Sequence, residues 1–214
     1  MSDYLTRTIE TYDNGVERFE NSTKGTSVES GLRRFASLLP ENAPPQRVLD
    51  AGCAFGKDTA NMAALDLEAV GIDLSAKFIE RARILHPDID FGQADVRDLR
   101  QFDDASFDGI WCNATLLHLT DDDVLLSLKG FRRILKDKGV IFVSFKQGTG
   151  QEEIVEKFSS DGVRFYRYQT VDSVGQMVQD SGFEIIDNQS VNEQDFVSNT
   201  SRNLRWILCF ARKI

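Results

Sequence analysis

The sequence predicts an α/β protein built on a doubly wound, mostly parallel sheet, and three observations predict it. From Arg47 onward, short apolar runs of strand length alternate with longer stretches of helical period, the signature of parallel βα units. A glycine-spaced turn, Gly52 to Gly56, leads directly from the first run into a helical one. Near the C-terminus two apolar runs are separated only by a polar loop, which suits an antiparallel hairpin appended to the parallel sheet.

The elements follow in chain order. Residues 1–24 are polar, with Tyr4, Ile9, Tyr12, Val16 and Phe19 at roughly helical spacing, so an amphipathic helix with an aromatic face is expected. Glu29 to Leu39 repeats the pattern through Leu32, Phe35, Ala36 and Leu39. Pro40, Pro44 and Pro45 then end any helix and set off an N-terminal helical lid, residues 1–45 of the same domain, from a core of residues 46–214. Strands are expected at VLDA from Val48, AVGID from Ala69, DFGQ from Asp90, FDGIWCN from Phe107 and VIFVSF from Val140. Helices fit at Thr59 to Leu65, Ala76 to Leu85 and Asp122 to Leu135, with Ser75 and Thr120 as N-caps. Val171 to Ser181 reads as a helix closed by Gly182, ahead of the runs FEIID and RWILCFA.

Composition narrows the function. The chain has 214 residues, 41% hydrophobic and 28% charged, enough for one or two domains with a full core. Its 25 Lys and Arg against 34 Asp and Glu leave a net charge of −9, which repels polyanions and disfavours nucleic acid or an anionic membrane as partner. A small neutral, cationic or zwitterionic substrate suits that field. Cys53, Cys112 and Cys209 are too few and too scattered for a disulfide framework or a Cys-x-x-Cys metal site, so no metal is expected and a reducing cytoplasm is the expected compartment. The N-terminus lacks the basic-then-apolar order of a secretory signal, and no apolar stretch approaches a membrane span, so a soluble, unprocessed protein is expected.

In a doubly wound sheet the ligand lies beyond the carboxyl ends of the strands, which selects the residues to inspect. Asp50-Ala51-Gly52-Cys53-Ala54-Phe55-Gly56 ends the first strand, and its small residues let backbone cover a ligand closely. A tight strand-to-helix turn with no ligand is the plain alternative. The spacing G-x-x-x-G is not the dinucleotide fingerprint, and Asp50 argues against a diphosphate beside it. Asp73 ends the second strand, where a carboxylate accepts both ribose hydroxyls; a solvated acid at a helix start is its alternative. Asp95 follows the third strand, placed to accept from an adenine amino group, with the Val96 amide beside it. Together the three acids describe a nucleoside with a cationic or ammonium-bearing tail and no phosphate.

These residues resemble the class I S-adenosylmethionine-dependent methyltransferases. VLDAGCAFGKDT is similar to the family's first motif, VLDxGCGxGxxT, and GIDLSAKFIERAR to its second, GxDxSxxxLxxAR. FGQADVRDL, FDGIWCNATLLHL and FRRILKDKGVIFVSF resemble the later ones, so the likeness runs from about Val48 to the C-terminus. It implies a Rossmann-like, seven-stranded sheet with the last strand antiparallel. It also implies S-adenosyl-L-methionine as cofactor and S-adenosyl-L-homocysteine as product. Asp50 and Gly52, with Cys53 and Ala54 in their loop, would hold the methionine end; Asp73 would take the ribose and Leu74 border the adenine. Asp95 and Val96 would read the adenine edge, and Asn113 with Ala114 would lie under the methionine. Ala54, where the family usually has Gly, departs from the pattern and adds a methyl near the cofactor; Asp137-Lys138-Gly139 replaces the usual Pro-Gly-Gly. The segments after the fifth strand resemble bacterial small-molecule methyltransferases of varied substrate.

Methyl transfer from a sulfonium is an in-line displacement that needs alignment in a dry pocket, with a base optional. His118, just past the fourth strand, is the candidate base; alternatively it closes a helix or bonds to the lid. The lid and the segment after the fifth strand are expected to form the acceptor pocket, through Tyr4, Tyr12, Phe19, Lys146, Arg164, Tyr166 and Arg167. The three cations suit an anionic group on the acceptor, or are simply solvated. Lys57 is a candidate for the cofactor carboxylate, while Cys112 reads as packing. Competing readings are a nicotinamide-dependent oxidoreductase, which the glycine spacing disfavours, and a catalytically silent cofactor-binding or protein-interaction module. The acceptor atom and the oligomeric state stay open.

Overall fold

The N-terminal polar segment folds as two helices, α1 (Asp3–Asn14) and α2 (Val16–Ser22), where one was expected. The break falls at Asn14-Gly15, where the poor helix former Gly15 carries φ −119° and its N–H turns back to Tyr12 O at 3.0 Å. α3 (Glu29–Leu38) ends before Pro40 as expected and buries Leu32 and Phe35 completely. The computed structural model describes residues 3–41, 45–155 and 162–214, so Pro44, one of the prolines placed at the lid boundary, lies outside the described residues.

The apolar runs become β1 (Arg47–Ala51), β2 (Glu68–Asp73), β3 (Asp90–Gln93), β4 (Phe107–Cys112) and β5 (Leu135–Lys146), separated by α4 (Lys57–Ala63), α5 (Ala76–Leu85) and α6 (Asp121–Ile134). These five strands are parallel, and all six residues of β4 are buried, as a strand covered on both faces requires. Both expected N-caps form: Ser75 Oγ accepts from the Phe78 amide at 3.1 Å and Thr120 Oγ1 from the Asp123 amide at 3.4 Å. α6 opens on Asp121, Asp122 and Asp123 and closes on Arg132 and Arg133, charges that oppose its dipole at both ends.

Between Lys146 and the next helix lies a hairpin that the sequence pattern did not reveal, β6 (Gln151–Val155) against β7 (Val163–Arg167). α1 rests on it: Thr8 Oγ1 accepts from the Phe165 amide at 3.0 Å, Thr11 Oγ1 donates to Val163 O at 2.9 Å, and the Tyr4 and Phe165 rings stand 4.5 Å apart. α7 (Val171–Asp180) follows, stopped where Gly182 adopts φ +84°. Then come β8 (Phe183–Asn192), the short α8 (Glu193–Phe196) and β9 (Arg205–Lys213). Among the described residues seven strands form one sheet, ordered β3-β2-β1-β4-β5-β9-β8, in which β9 runs antiparallel to both neighbours. The chain order reverses between β1 and β4, which puts the switch point at their carboxyl ends. Beneath it, Trp111 stacks on Phe142 at 3.9 Å and meets Phe35 of α3 at 5.6 Å.

Candidate functional site

A cavity of about 500 Å³ opens at this switch point, walled by α1, α2, the β1–α4 loop, the ends of β2 and β4, β7 and the β8–β9 connection. The loop leaving β1 shapes one side. Gly52, Ala54 and Gly56 all take positive φ, at +91°, +48° and +83°, and the Gly52 and Cys53 amides both donate to Ile72 O at 2.8 and 2.9 Å. A Cβ on Gly52 would stand 2.0 Å from Thr115 Oγ1, so packing alone demands glycine there. Ala54 holds a left-handed conformation that costs an L-residue about 1 kcal/mol.

Asp50, Asp73 and Asp95 all line the cavity. Asp73 ties the loop to β2: Oδ2 accepts from the Ala54 amide at 2.9 Å and Oδ1 from the Ser75 amide at 2.8 Å, while burial pushes its pKa up to about 6. Asp50 is 2% exposed and accepts from Thr59 Oγ1 at 2.6 Å; burial, then the neighbouring Asp58, holds its carboxyl well above the usual range. Asp95 is held by Arg97, whose Nε and Nη2 donate at 3.0 and 2.7 Å. Cys53, Leu74, Val96, Asn113 and Ala114 line the same space. Asn113 Oδ1 accepts from Ser144 Oγ at 2.7 Å, and that oxygen accepts from the Ala114 amide at 2.8 Å.

Asp58 also reaches the cavity and was not singled out from the sequence. It accepts from Trp111 Nε1 at 3.1 Å and Asn113 Nδ2 at 3.3 Å, bonds that cross from α4 to β4 and have no local signature. Lys57 lines the wall too, but its Nζ donates to the carbonyls of Thr26 and Thr23 at 2.9 and 3.3 Å, anchoring the turn after α2.

On the other side stand Tyr12, Phe19, His118, Lys146, Arg164 and Tyr166. Tyr4 and Arg167 are not brought to the cavity: the Tyr4 hydroxyl donates to Asp123 at 2.8 Å, and Arg167 Nε donates to Asp121 at 2.9 Å. His118 has both ring nitrogens engaged. Nδ1 donates to Phe165 O at 2.7 Å, so Nε2 accepts from the Tyr12 hydroxyl at 2.9 Å, and that hydroxyl accepts from Arg164 Nη1 at 2.6 Å. Burial, then the Arg164 charge, drives the imidazole pKa down to about 3. Lys146 Nζ lies 3.7 Å from the Tyr166 ring centre and Arg164 Cζ 5.1 Å from it. The β8–β9 connection contributes Glu193, Phe196 and Arg202, and the start of β9 contributes Trp206, none of which the sequence marked.

Cys53, Cys112 and Cys209 are free and buried. Among the described residues, no group of three or more His, Cys, Asp or Glu could hold a metal ion, and no helix is long and apolar enough to cross a membrane.

Known proteins are similar to this chain in sequence and in fold. A family model described as a methyltransferase domain matches residues 48–139. Phosphoethanolamine N-methyltransferase 1 of Arabidopsis thaliana is 34% identical over 195 residues, 80% of this chain and 39% of that protein. Among solved structures, 1,6-didemethyltoxoflavin-N1-methyltransferase of Burkholderia thailandensis, with 1,6-didemethyltoxoflavin and S-adenosylhomocysteine bound, matches with TM-score 0.74 at 20% identity, covering 99% of this chain and 89% of that one. A SAM-dependent methyltransferase of Methanosarcina mazei matches with TM-score 0.73 at 17% identity, over 85% of this chain and 97% of that one. The two structures share the fold. The chain spans less than two fifths of the length of the curated relatives it first matches.

Proposed function

The chain belongs to the class I S-adenosylmethionine-dependent methyltransferases, and from that membership we propose that it binds S-adenosylmethionine in the cavity and methylates a small-molecule acceptor. The observation that carries this reading is the convergence of Asp50, Asp73 and Asp95, from three successive strand ends, on one cavity. The donor set fits the cofactor: carboxylates face the space, and the loop from Gly52 to Gly56 offers backbone and no cation, which suits a cationic nucleoside and not a diphosphate. When bound, S-adenosylmethionine supplies an electrophilic methyl group on a sulfonium, and S-adenosylhomocysteine is the product.

In this reading Asp73 accepts the ribose hydroxyls, Leu74 and Val96 border the adenine and Asp95 takes its amino group. Asp50 and Gly52 hold the methionine end, with Cys53 and Ala54 in the same loop, above Asn113 and Ala114. Tyr12 and Phe19, from α1 and α2, cover the space and exclude water, so that the in-line displacement proceeds in a dry pocket. An imidazole with a pKa near 3 is a poor proton acceptor, so His118 serves this reading by holding Tyr12 in place instead of acting as base. Lys146 and Arg164, converging on the Tyr166 ring, suit an anionic group on the acceptor, as Phe19 suits an apolar one. The relative and the structural neighbour named above are both N-methyltransferases of small molecules by name.

Titration calorimetry with S-adenosylhomocysteine tests the reading directly. Micromolar to sub-millimolar binding is expected, and no heat at millimolar ligand on a folded protein sinks it. Asp73→Ala, shown folded by its melting curve, removes the acceptor of two hydroxyls and should weaken binding by about 100-fold or more, given about 1.5–3 kcal/mol for each hydrogen bond to a charged group. An unchanged affinity removes Asp73 from the site. Screening a metabolite extract for transfer from labelled cofactor, with mass spectrometry of the product, identifies the acceptor.

A further inference from the structure

The link between β8 and β9 carries a buried carboxylate for which the cofactor has no use. Glu193 follows directly on β8 and is fully buried, its backbone fixed by a 2.8 Å bond from its amide to Leu204 O and a 2.7 Å bond from the Val197 amide to its carbonyl. Oε1 pairs with Arg202, whereas Oε2 is buried and has no hydrogen-bond partner among the described residues. Trp206, near the start of β9 and opposite Lys146 of β5, repeats the situation with the opposite sign: its Nε1–H is buried and likewise without a partner among them. Both side chains line the cavity, and Phe196 lines it with them.

A carboxylate withdrawn from water keeps its charge only while donors meet its lone pairs, and Arg202 meets one oxygen. The cavity that Glu193 lines is where a ligand can supply the donor for the other. A carboxylate that shares a cavity wall with the rings of Phe196 and Trp206 favours a positively charged donor over a neutral or negative one, because its own charge and the ring faces attract cations. We propose that Glu193 and Trp206 form the recognition point for an amino group on the methyl acceptor, with Glu193 Oε2 accepting its N–H and Trp206 supplying an aromatic wall and a neighbouring donor. The acceptor class is thus an amine, and Lys146, in register with Trp206 on the neighbouring strand, and Arg164 of β7 line the same cavity, where they suit an anionic group elsewhere on that acceptor. The inference rests on reading the cavity as an acceptor site.

Two tryptophans in the chain give two indole N–H signals in a nitrogen-15 correlation spectrum. Trp111 Nε1 is bonded to Asp58, and Trp206→Phe assigns the other signal. The labelled protein is saturated with S-adenosylhomocysteine and titrated with benzylamine, and separately with benzyl alcohol and benzoate, probes of similar size and different charge. Benzylamine should shift the Trp206 signal saturably, and the two controls should bind at least ten times more weakly. Glu193→Gln should weaken benzylamine at least tenfold and leave S-adenosylhomocysteine affinity within twofold. Arg202 is largely exposed, so Arg202→Gln serves if Glu193→Gln does not fold: it frees a second carboxylate oxygen and should tighten benzylamine severalfold. Equal binding of the controls, indifference to Glu193→Gln, weakening by Arg202→Gln or an unmoved Trp206 signal overturns the proposal. Should S-adenosylhomocysteine move no signal, the methyltransferase reading fails, and the benzylamine titration on the unliganded protein still decides this one.

Discussion

His118 is neutral in the folded chain because it is 8% exposed and faces the charges of Arg164 and Lys146, which outweigh the hydrogen bond to Phe165 O. An unfolded chain protonates the same ring near the ordinary histidine value of about 6.5. Between that value and about 3 the unfolded state binds the extra proton, so this residue withdraws stability as pH falls from 6.5 toward 3. Asp50 and Asp73, pushed upward by burial, act in the opposite sense over the same range, which makes the bare pH profile a mixture. The comparison with His118→Gln separates them. Urea unfolding at pH 6.5 and pH 5 should show the wild type losing up to about 2 kcal/mol more than the variant on acidification, from about 1.4 kcal/mol for each unit of pKa difference. Parallel curves would mean that His118 is charged in the fold. At this scale the three strand-end acids were legible, because an aspartate at the end of an apolar run is visible as such. Asp58, Glu193 and Trp206 were not: their roles depend on partners in α4 and β4, or across the β8–β9 link, and no periodicity records those.

Strands β1, β4 and most of β5 were legible because they are buried along their length and read as apolar runs, whereas β2 and β3, half-exposed toward the sheet edge, were legible as short runs between stretches of helical period. β6, with the sequence QEEIV and exposed for most of its length, carries no such run, and β7 shows only Phe165 and Tyr166 as buried residues. The pairing of these two strands is what gives α1 its seat, so the position of the helical cover was hidden with them. α2 is held on its other flank: Glu20 takes a forked bond from Arg81 of α5 at 2.8 and 2.9 Å, and Ser75 bonds to Asp13 of α1. Lys57 adds a third tie through its bonds to the Thr23 and Thr26 carbonyls, a use of the cation that its place in the first turn of α4 does not announce. Lys57→Met should therefore loosen residues 23–28 locally by about 1–2 kcal/mol, the cost of leaving partly buried carbonyls without a donor. Hydrogen exchange read by mass spectrometry should show faster exchange in that segment and unchanged protection in β4 and β5. Uniform acceleration across the chain would mean a global loss of stability instead.

The net charge of −9 is spread unevenly around the cavity. Asp50, Asp58, Asp73 and Asp95, with Lys57 beside them turned to the Thr23 and Thr26 carbonyls, face the half beyond β1 to β3, whereas Lys146, Arg164 and Arg202 stand with Glu193 near β5, β7 and β9. A ligand filling the first half touches elements from both sides of the switch point, so its binding energy adds to the stability of the whole sheet. A ligand bound only by the folded state at 100 times its dissociation constant contributes about 2.7 kcal/mol, which for a chain of this size raises Tm by about 5–10 °C. S-adenosylhomocysteine is expected to give that shift in a thermal melt. Reduced nicotinamide adenine dinucleotide at the same concentration should shift Tm by less than about 1 °C, because its diphosphate would meet four carboxylates and a glycine loop without a cation. Equal shifts from the two ligands would mean that the acids do not select against phosphate, and the choice of cofactor would then have to come from the adenosine alone.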